Sequence, residues 1–312
     1  MVAVLTASML LQGSVLAAGT DQALTELSST DGTMTESDQI ENAAAETEEI
    51  TVPATEKDIT WDESLPYAEY SKIHTGAAKL YRSAAEDRKD FCVCVNAGHG
   101  TEGGSDVKTL CHPDGSAKVT TGSTAAGATE ATAVSSGMTF ADGTPESEAT
   151  LSLALIVRDV LLENGFDVLM IRETEDVQLD NIARTVLANN YADCHIALHY
   201  DATDTDKGVF YCSVPDVESY REMEPVASHW QEHEALGQAM IEGMKEQGLK
   251  IFGDGTMEMD LTQTSYSTVP SIDLEVGDSV SDHSEKMQSQ AAKGVLAGVE
   301  LFWAERQTAA ED

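Results

Sequence analysis

Apolar and polar positions along this chain follow two alternating periods. Short continuous apolar runs recur at 91–95, 167–171, 194–198 and 269–276, and the segments between them place apolar residues three and four apart. In the first run, Phe91-Cys92-Val93-Cys94-Val95, both alternating positions are apolar, as expected of a strand buried on both faces. It stops at the turn Asn96 to Gly100, where His99 stands between two glycines. Leu151, Leu155, Val157, Leu161 and Leu162 then line one broad side of a helix that Asn164-Gly165 closes. A second helix is predicted over 179–190, with Ile182, Val186 and Leu187 inward, and the run 194–198 ends at His199. Phe210 and Tyr211 suggest a further strand in an otherwise irregular stretch. A third helix is predicted over 234–247, closed by Gly248, and a last one over 284–303 with Met287, Ala291, Val295, Val299 and Phe302 inward. Strands alternating with helices predict an α/β fold: an open twisted, mostly parallel sheet with helices on both faces, in a single domain.

Outside that alternation the pattern changes. Tyr67, Tyr70, Ile73, Ala77, Leu80 and Tyr81 are spaced by threes and fours, which predicts an N-terminal helical extension over 57–90. The segment 20–56 is rich in Thr, Ser, Ala, Glu and Asp and holds no basic residue, so it buries too little to offset chain entropy and reads as a disordered acidic linker. Residues 1–19 are apolar or small and end in Val15-Leu16-Ala17-Ala18, the pattern of a signal peptide, or of a truncated one, since no Lys or Arg precedes the apolar core. That core is short for a membrane span, so secretion without membrane insertion after processing is expected. The folded part is thus expected over 91–305, with a disordered tail at 306–312. The stretch 101–145, dominated by Gly, Thr, Ser and Ala, is long for a connection inside a domain, which points to a functional loop bordering a site.

Charge and cysteines narrow the picture. A formal net charge of −37 with 18 basic residues argues against nucleic acid and against docking on anionic lipid. Five cysteines cannot all pair internally, and Cys92, Cys94, Cys194 and Cys212 sit in apolar runs that predict buried thiols. Cys111-His112 lacks a partner at zinc-finger spacing. His229 and His233 share a helix face without a third ligand, and His195 lies inside a strand pattern as a hydrogen-bonded core residue. Arg172 and Arg184 either contact substrate carboxylates or pair with surface acids.

His99 and His199 are the residues that suggest chemistry. Each ends a buried strand, and parallel neighbours would bring both to the carboxyl edge of one sheet, where open α/β folds bind ligands. Catalytic zinc takes three protein ligands and a water. Glu146, just ahead of the helix expected from Leu151, suits both a third ligand and the positive end of a helix dipole.

Val-Asn-Ala-Gly-His-Gly at 95–100, Glu146 followed by Leu151, Ala154, Leu155, Arg158 and Asp159, Ile-Ala-Leu-His at 196–199, and Pro270 to Glu275 occur in one order and spacing. In these features the chain resembles the zinc-dependent N-acetylmuramoyl-L-alanine amidases, the cell-wall amidase catalytic domain, over 91–303. The resemblance implies that His99, Glu146 and His199 bind zinc and that Glu275 is the catalytic acid/base. It also implies a secreted or cell-wall-associated enzyme that hydrolyses the amide between N-acetylmuramic acid and L-alanine in peptidoglycan, or in muropeptides, with a water that zinc activates. The chain departs from the family at Asn96, where Asp is frequent, at His199-Tyr200-Asp201, where His-Ala-Asn is frequent, and in the length of 101–145. Fold does not fix substrate, so two alternatives stand: a zinc peptidase or other amide hydrolase on this scaffold, and a non-catalytic wall-binding protein.

Overall fold

A computed structural model describes residues 55–311. In chain order its strands are β1 (Thr55–Thr60), β2 (Ala77–Arg82), β3 (Cys92–Ala97), β4 (Lys108–Leu110), β5 (Glu130–Thr132), β6 (Asp167–Met170), β7 (Cys194–Asp201), β8 (Val209–Ser213), β9 (Ile251–Glu258) and β10 (Ser271–Asp278). The helices are α1 (Glu146–Glu163), α2 (Asn181–Tyr191), α3 (Glu218–Arg221), α4 (Val226–Glu246), α5 (Thr262–Tyr266) and α6 (Glu285–Glu311). Eight strands form one open sheet in the order β1-β2-β6-β3-β7-β10-β8-β9. Its centre, β6-β3-β7-β10, is parallel, while β2 joins β6, and β8 joins β10, in antiparallel sense. The mostly parallel α/β sheet read from the sequence is the architecture found.

Strand alternation sorts side chains between two helical layers. Val93, Val95, Ile196, Leu198, Ile272 and Leu274 face the larger core with α1, α4 and α6, where Leu153, Val157, Leu161, Met240, Val295 and Val299 are buried against them. Cys94 and Leu169 face the other side, packed with Ala183 and Leu187 of α2. Asp180 fixes the start of α2: its carboxylate accepts from the Ala183 N–H at 2.8 Å and also from the N–H groups of Lys72 and Ile73, at 2.6 and 2.9 Å. One buried cap therefore holds both a helix and the N-terminal segment.

That segment corrects the expected helical extension over 57–90. It forms β1 and β2 with a 3-10 turn at Ala68–Tyr70 between them. β6 is a buried strand that needs a partner for its outer edge, and β2 supplies the hydrogen bonds; a helix there would leave that ladder open. The aromatic spacing has another cause: Tyr67 and Tyr70 close on Tyr266 at 5.8 and 5.5 Å between ring centroids. Thr55 and Glu56 belong to β1 rather than to the linker, and the remainder of 20–56, with the leader at 1–19, lies outside the described residues. The expected tail from 306 is instead the last turns of α6.

Other differences lie at the sheet's far edge and in the connections. β9 escapes a hydropathy reading because Gly253, Asp254 and Gly255 interrupt its pattern, and it is an exposed edge strand. The stretch 101–145 is a structured insertion with the hairpin β4-β5. A buried clasp ties it to the body: His112 Nε2 lies 2.9 Å from Asp260 Oδ1, the Val119 N–H donates to Asp260 Oδ2 at 2.7 Å, and the Lys118 ammonium donates to the Asp260 carbonyl. His112 is thereby a hydrogen-bonded core residue. All five cysteines are free, four of them buried and Cys92 half-buried.

Candidate metal centre

The site grows out of the turn after β3. Gly98 passes so close to β7 that a Cβ there would lie 2.3 Å from the His199 ring, which only glycine avoids. His99 follows with φ of 63°, a left-handed conformation that a non-glycine residue keeps only when its surroundings impose it. Two buried guanidinium groups impose it. Arg184 donates to the carbonyls of His99 at 2.6 Å, Ala97 at 3.2 Å and Leu179 at 3.0 Å, and to Asn96 Oδ1 at 3.1 Å. Arg172 donates to the carbonyls of Gly98 at 2.8 Å, Ala97 at 3.1 Å and Ser147 at 2.6 Å. Burial lowers Arg172 to about 10 and Arg184 to about 9. Neither is spent on a surface acid. Replacing Arg184 by Ala strands several buried acceptors, so a loss of ~3 kcal/mol is expected in denaturant unfolding, together with weaker metal retention as the His99 turn relaxes.

Three side chains converge beside this turn. His99 Nε2 lies 2.8 Å from Glu146 Oε1, His199 Nδ1 lies 3.1 Å from the same oxygen, and the two imidazole nitrogens are 3.1 Å apart. Among the described residues these three form the group able to hold a metal ion, with ligand atoms all within 4.8 Å of one another. His99 Nδ1 is 2.8 Å from the Ser135 carbonyl, which can only accept, so the proton sits on Nδ1 and the Nε2 lone pair faces the other donors. Glu146 is the first residue of α1, five positions before the helix start expected from Leu151. Its Oε2 accepts from the Met138 N–H at 2.8 Å and its Oε1 from the Tyr200 N–H at 3.0 Å. Burial works against its ionisation, yet the hydrogen bonds with His199 and His99 outweigh that and hold the carboxyl well below its usual range. His199 is pulled up to about 9: burial opposes its charged form, and the bond to Glu146 overrides burial. Inward-facing lone pairs this close need a proton or a cation between them. Two imidazoles and a carboxylate suit zinc, whose tetrahedral N···N separation is about 3.3 Å.

Glu275 stands opposite His199 in the β10-β7 register, as its place near the end of the Pro270 strand suggested. Its Oε2 is sealed from solvent and has no hydrogen-bond partner, and burial pushes the carboxyl up to about 8. A cavity of about 650 Å³ opens here, lined by the three convergent side chains, by Asp273 and Glu275, and by insertion residues from Lys118 to Met138. The insertion therefore borders the site and also supplies Ser135 and Met138 to its ligands.

A profile described as N-acetylmuramoyl-L-alanine amidase matches residues 93–300. The chain belongs to this family. As an N-acetylmuramoyl-L-alanine amidase it hydrolyses the amide that joins the stem peptide to muramic acid in peptidoglycan. Two solved amidases share its fold. Ami1 from Mycobacterium smegmatis is 18% identical with a TM-score of 0.56, over 69% of this chain and 98% of that one. The apo form of Ami1 from Mycobacterium abscessus is 18% identical with a TM-score of 0.54, over 68% and 98%. No curated protein matches the amidase.

Other residues singled out in the sequence fall outside this site. His195 and His233 are neutral core residues lowered to about 3 by burial; His195 Nε2 accepts from Asn96 at 3.1 Å and His233 Nδ1 from the Ser271 N–H at 3.0 Å. His229 pairs with Glu232 on the same helix. Sequence reading missed the role of the two arginines, the clasp at Asp260, and Asp273. For Asp273 a signal existed, since an acid interrupts the run Ser271-Ile272-Asp273-Leu274 of a central strand.

Proposed function

We propose that the amidase is a zinc enzyme in which His99, Glu146 and His199 hold the metal and Glu275 moves the proton. The observation that supports this reading is the convergence of three donor atoms beside a buried, unpartnered carboxylate oxygen. Zinc bound there would act as a Lewis acid toward the scissile carbonyl and lower the pKa of water to about 7. In its ionised form Glu275 takes a proton from the attacking water and returns it to the departing alanine nitrogen, breaking the carbon–nitrogen bond and leaving a lactyl carboxylate and a free amine. Ser135 keeps the His99 ring in the required tautomer, and the N–H groups of Met138 and Tyr200 keep the Glu146 carboxylate aimed.

Export to the wall is part of the proposal and rests on the apolar leader at 1–19. No helix among the described residues is long and apolar enough to cross a membrane. The test is incubation of the purified protein with muropeptides and identification of new ends by mass spectrometry. Free stem peptide with an intact glycan is expected. Cuts within the peptide would make the protein a peptidase, and binding without cleavage would make it a wall-binding protein.

A further inference from the structure

Asp273 occupies a row of the sheet that the proposed mechanism leaves unused. In the register of β3, β7 and β10, Asn96 lies beside Ala197, and Ala197 beside Asp273. Leu274 pairs with Tyr211 in the antiparallel β8, which sets Cys212 next to Asp273 on the far side. This row is one step deeper than the one holding His199 and Glu275. Ala197 in its middle fills little space, and Asn96, Cys212, Gln263 and Asp273 line the cavity around it.

The electrostatics of this deep end are one-sided. Asp273 Oδ1, like Glu275 Oε2, is sealed from solvent and has no hydrogen-bond partner. Such a carboxylate is costly unless something pairs with it. The two cations that line the cavity are engaged elsewhere: Lys118 with Asp260, and Arg184 with backbone carbonyls and Asn96. Gln263 gives its N–H groups to Ser271 Oγ at 2.9 Å and to the Ile272 carbonyl at 3.0 Å, so its remaining group is an acceptor. Cys212 is held as a neutral thiol by burial. The deep end thus offers the Asp273 carboxyl group and the Gln263 carbonyl oxygen as acceptors, with no free cation to pair with them, and that is the chemistry that recognises an ammonium ion.

We propose that Asp273 is a specificity residue that binds a primary ammonium group of the substrate. Two residues along a strand set it about 7 Å from Glu275. This inference rests on the amidase reading of the site. Two groups of a peptidoglycan substrate carry that chemistry: the side-chain amine of a diamino acid in the stem, and the 2-amino group of a sugar that has lost its acetyl group.

The test uses muropeptides in four forms, with the sugar amine free or acetylated and the side-chain amine free or acetylated. For one of the two positions, wild type is expected to prefer the free amine about ten- to hundredfold in kcat/KM, mostly through KM, as for a hydrogen bond to a charged group. Asp273→Asn is expected to bring that ratio to about one. The position that shows the preference names the source. A wild-type ratio already near one at both positions, or a ratio that survives in Asp273→Asn, overturns the assignment. The same four ligands titrated calorimetrically into metal-loaded Glu275→Gln protein give the ratio without turnover. A protein that cleaves none of them therefore refutes the amidase reading while still deciding the role of Asp273.

Discussion

Glu275→Gln is expected to yield a folded, metal-loaded protein whose turnover of muropeptides is down by about a hundred- to ten-thousandfold, the usual worth of general acid/base help. Glutamine keeps the shape and the hydrogen-bonding reach of the side chain and cannot take a proton from water. The fold should not suffer, because Oε2 has no protein partner to lose and the amide removes a buried acid rather than adding one. The metal should stay, because Glu275 is opposite His199 in the sheet but outside the group of three convergent donors. Elemental analysis and steady-state kinetics on one preparation check both halves. Near-wild-type turnover would remove Glu275 from the mechanism, and loss of metal would move it into the ligand set.

His99→Ala and His199→Ala are expected to abolish activity by the opposite route, through loss of the metal. Wild type should contain about one zinc per chain, as a site with three protein ligands does, and each variant well under a tenth of that after dialysis against chelator. Two donors at the mouth of a cavity hold zinc far less firmly than three, and truncating either ring also leaves Glu146 Oε1 with one imidazole neighbour in place of two. The two variants should differ in stability. His99 lies at a turn that the Arg184 and Arg172 guanidiniums fix through backbone carbonyls, so Ala at 99 keeps those bonds while remaining at positive φ. His199 is an interior residue of a paired strand, and removing its ring opens space against Gly98. Full metal content in either variant would reject the assignment of these ligands.

The periodic elements were legible in the chain itself. Val93 and Val95 alternating with cysteines, the apolar side of 151–162, and the run ending at His199 each state a local preference that the sheet and α1 satisfy. Buried parallel strands and amphipathic helices announce themselves because burial acts on every residue of the element. The order of the four motifs was likewise enough to point to the amidase family and to the four residues of the proposed chemistry.

What the sequence could not state is what depends on one element meeting another. The segment 57–90 has helical spacing, but the open edge of β6 made it two strands; the ladder's hydrogen bonds outweigh a weak local preference. The insertion 101–145 looks like a polar loop, yet Asp260, far along the chain, gathers its His112 and Lys118 and thereby sets Ser135 and Met138 against the ligands. Arg172 and Arg184 read as substrate contacts or as partners of surface acids until the fold aims them at backbone carbonyls, and Asp273, although it interrupts an apolar run, gains a place in the cavity only through its register. The period of apolar positions thus determined the α/β framework, and the ordered motifs, through the family resemblance, pointed to the residues of the proposed site. Tertiary packing alone decided how the insertion is anchored, the support of His99 and the acidic lining of the cavity's deep end, because each arises from contacts between residues that no local pattern links.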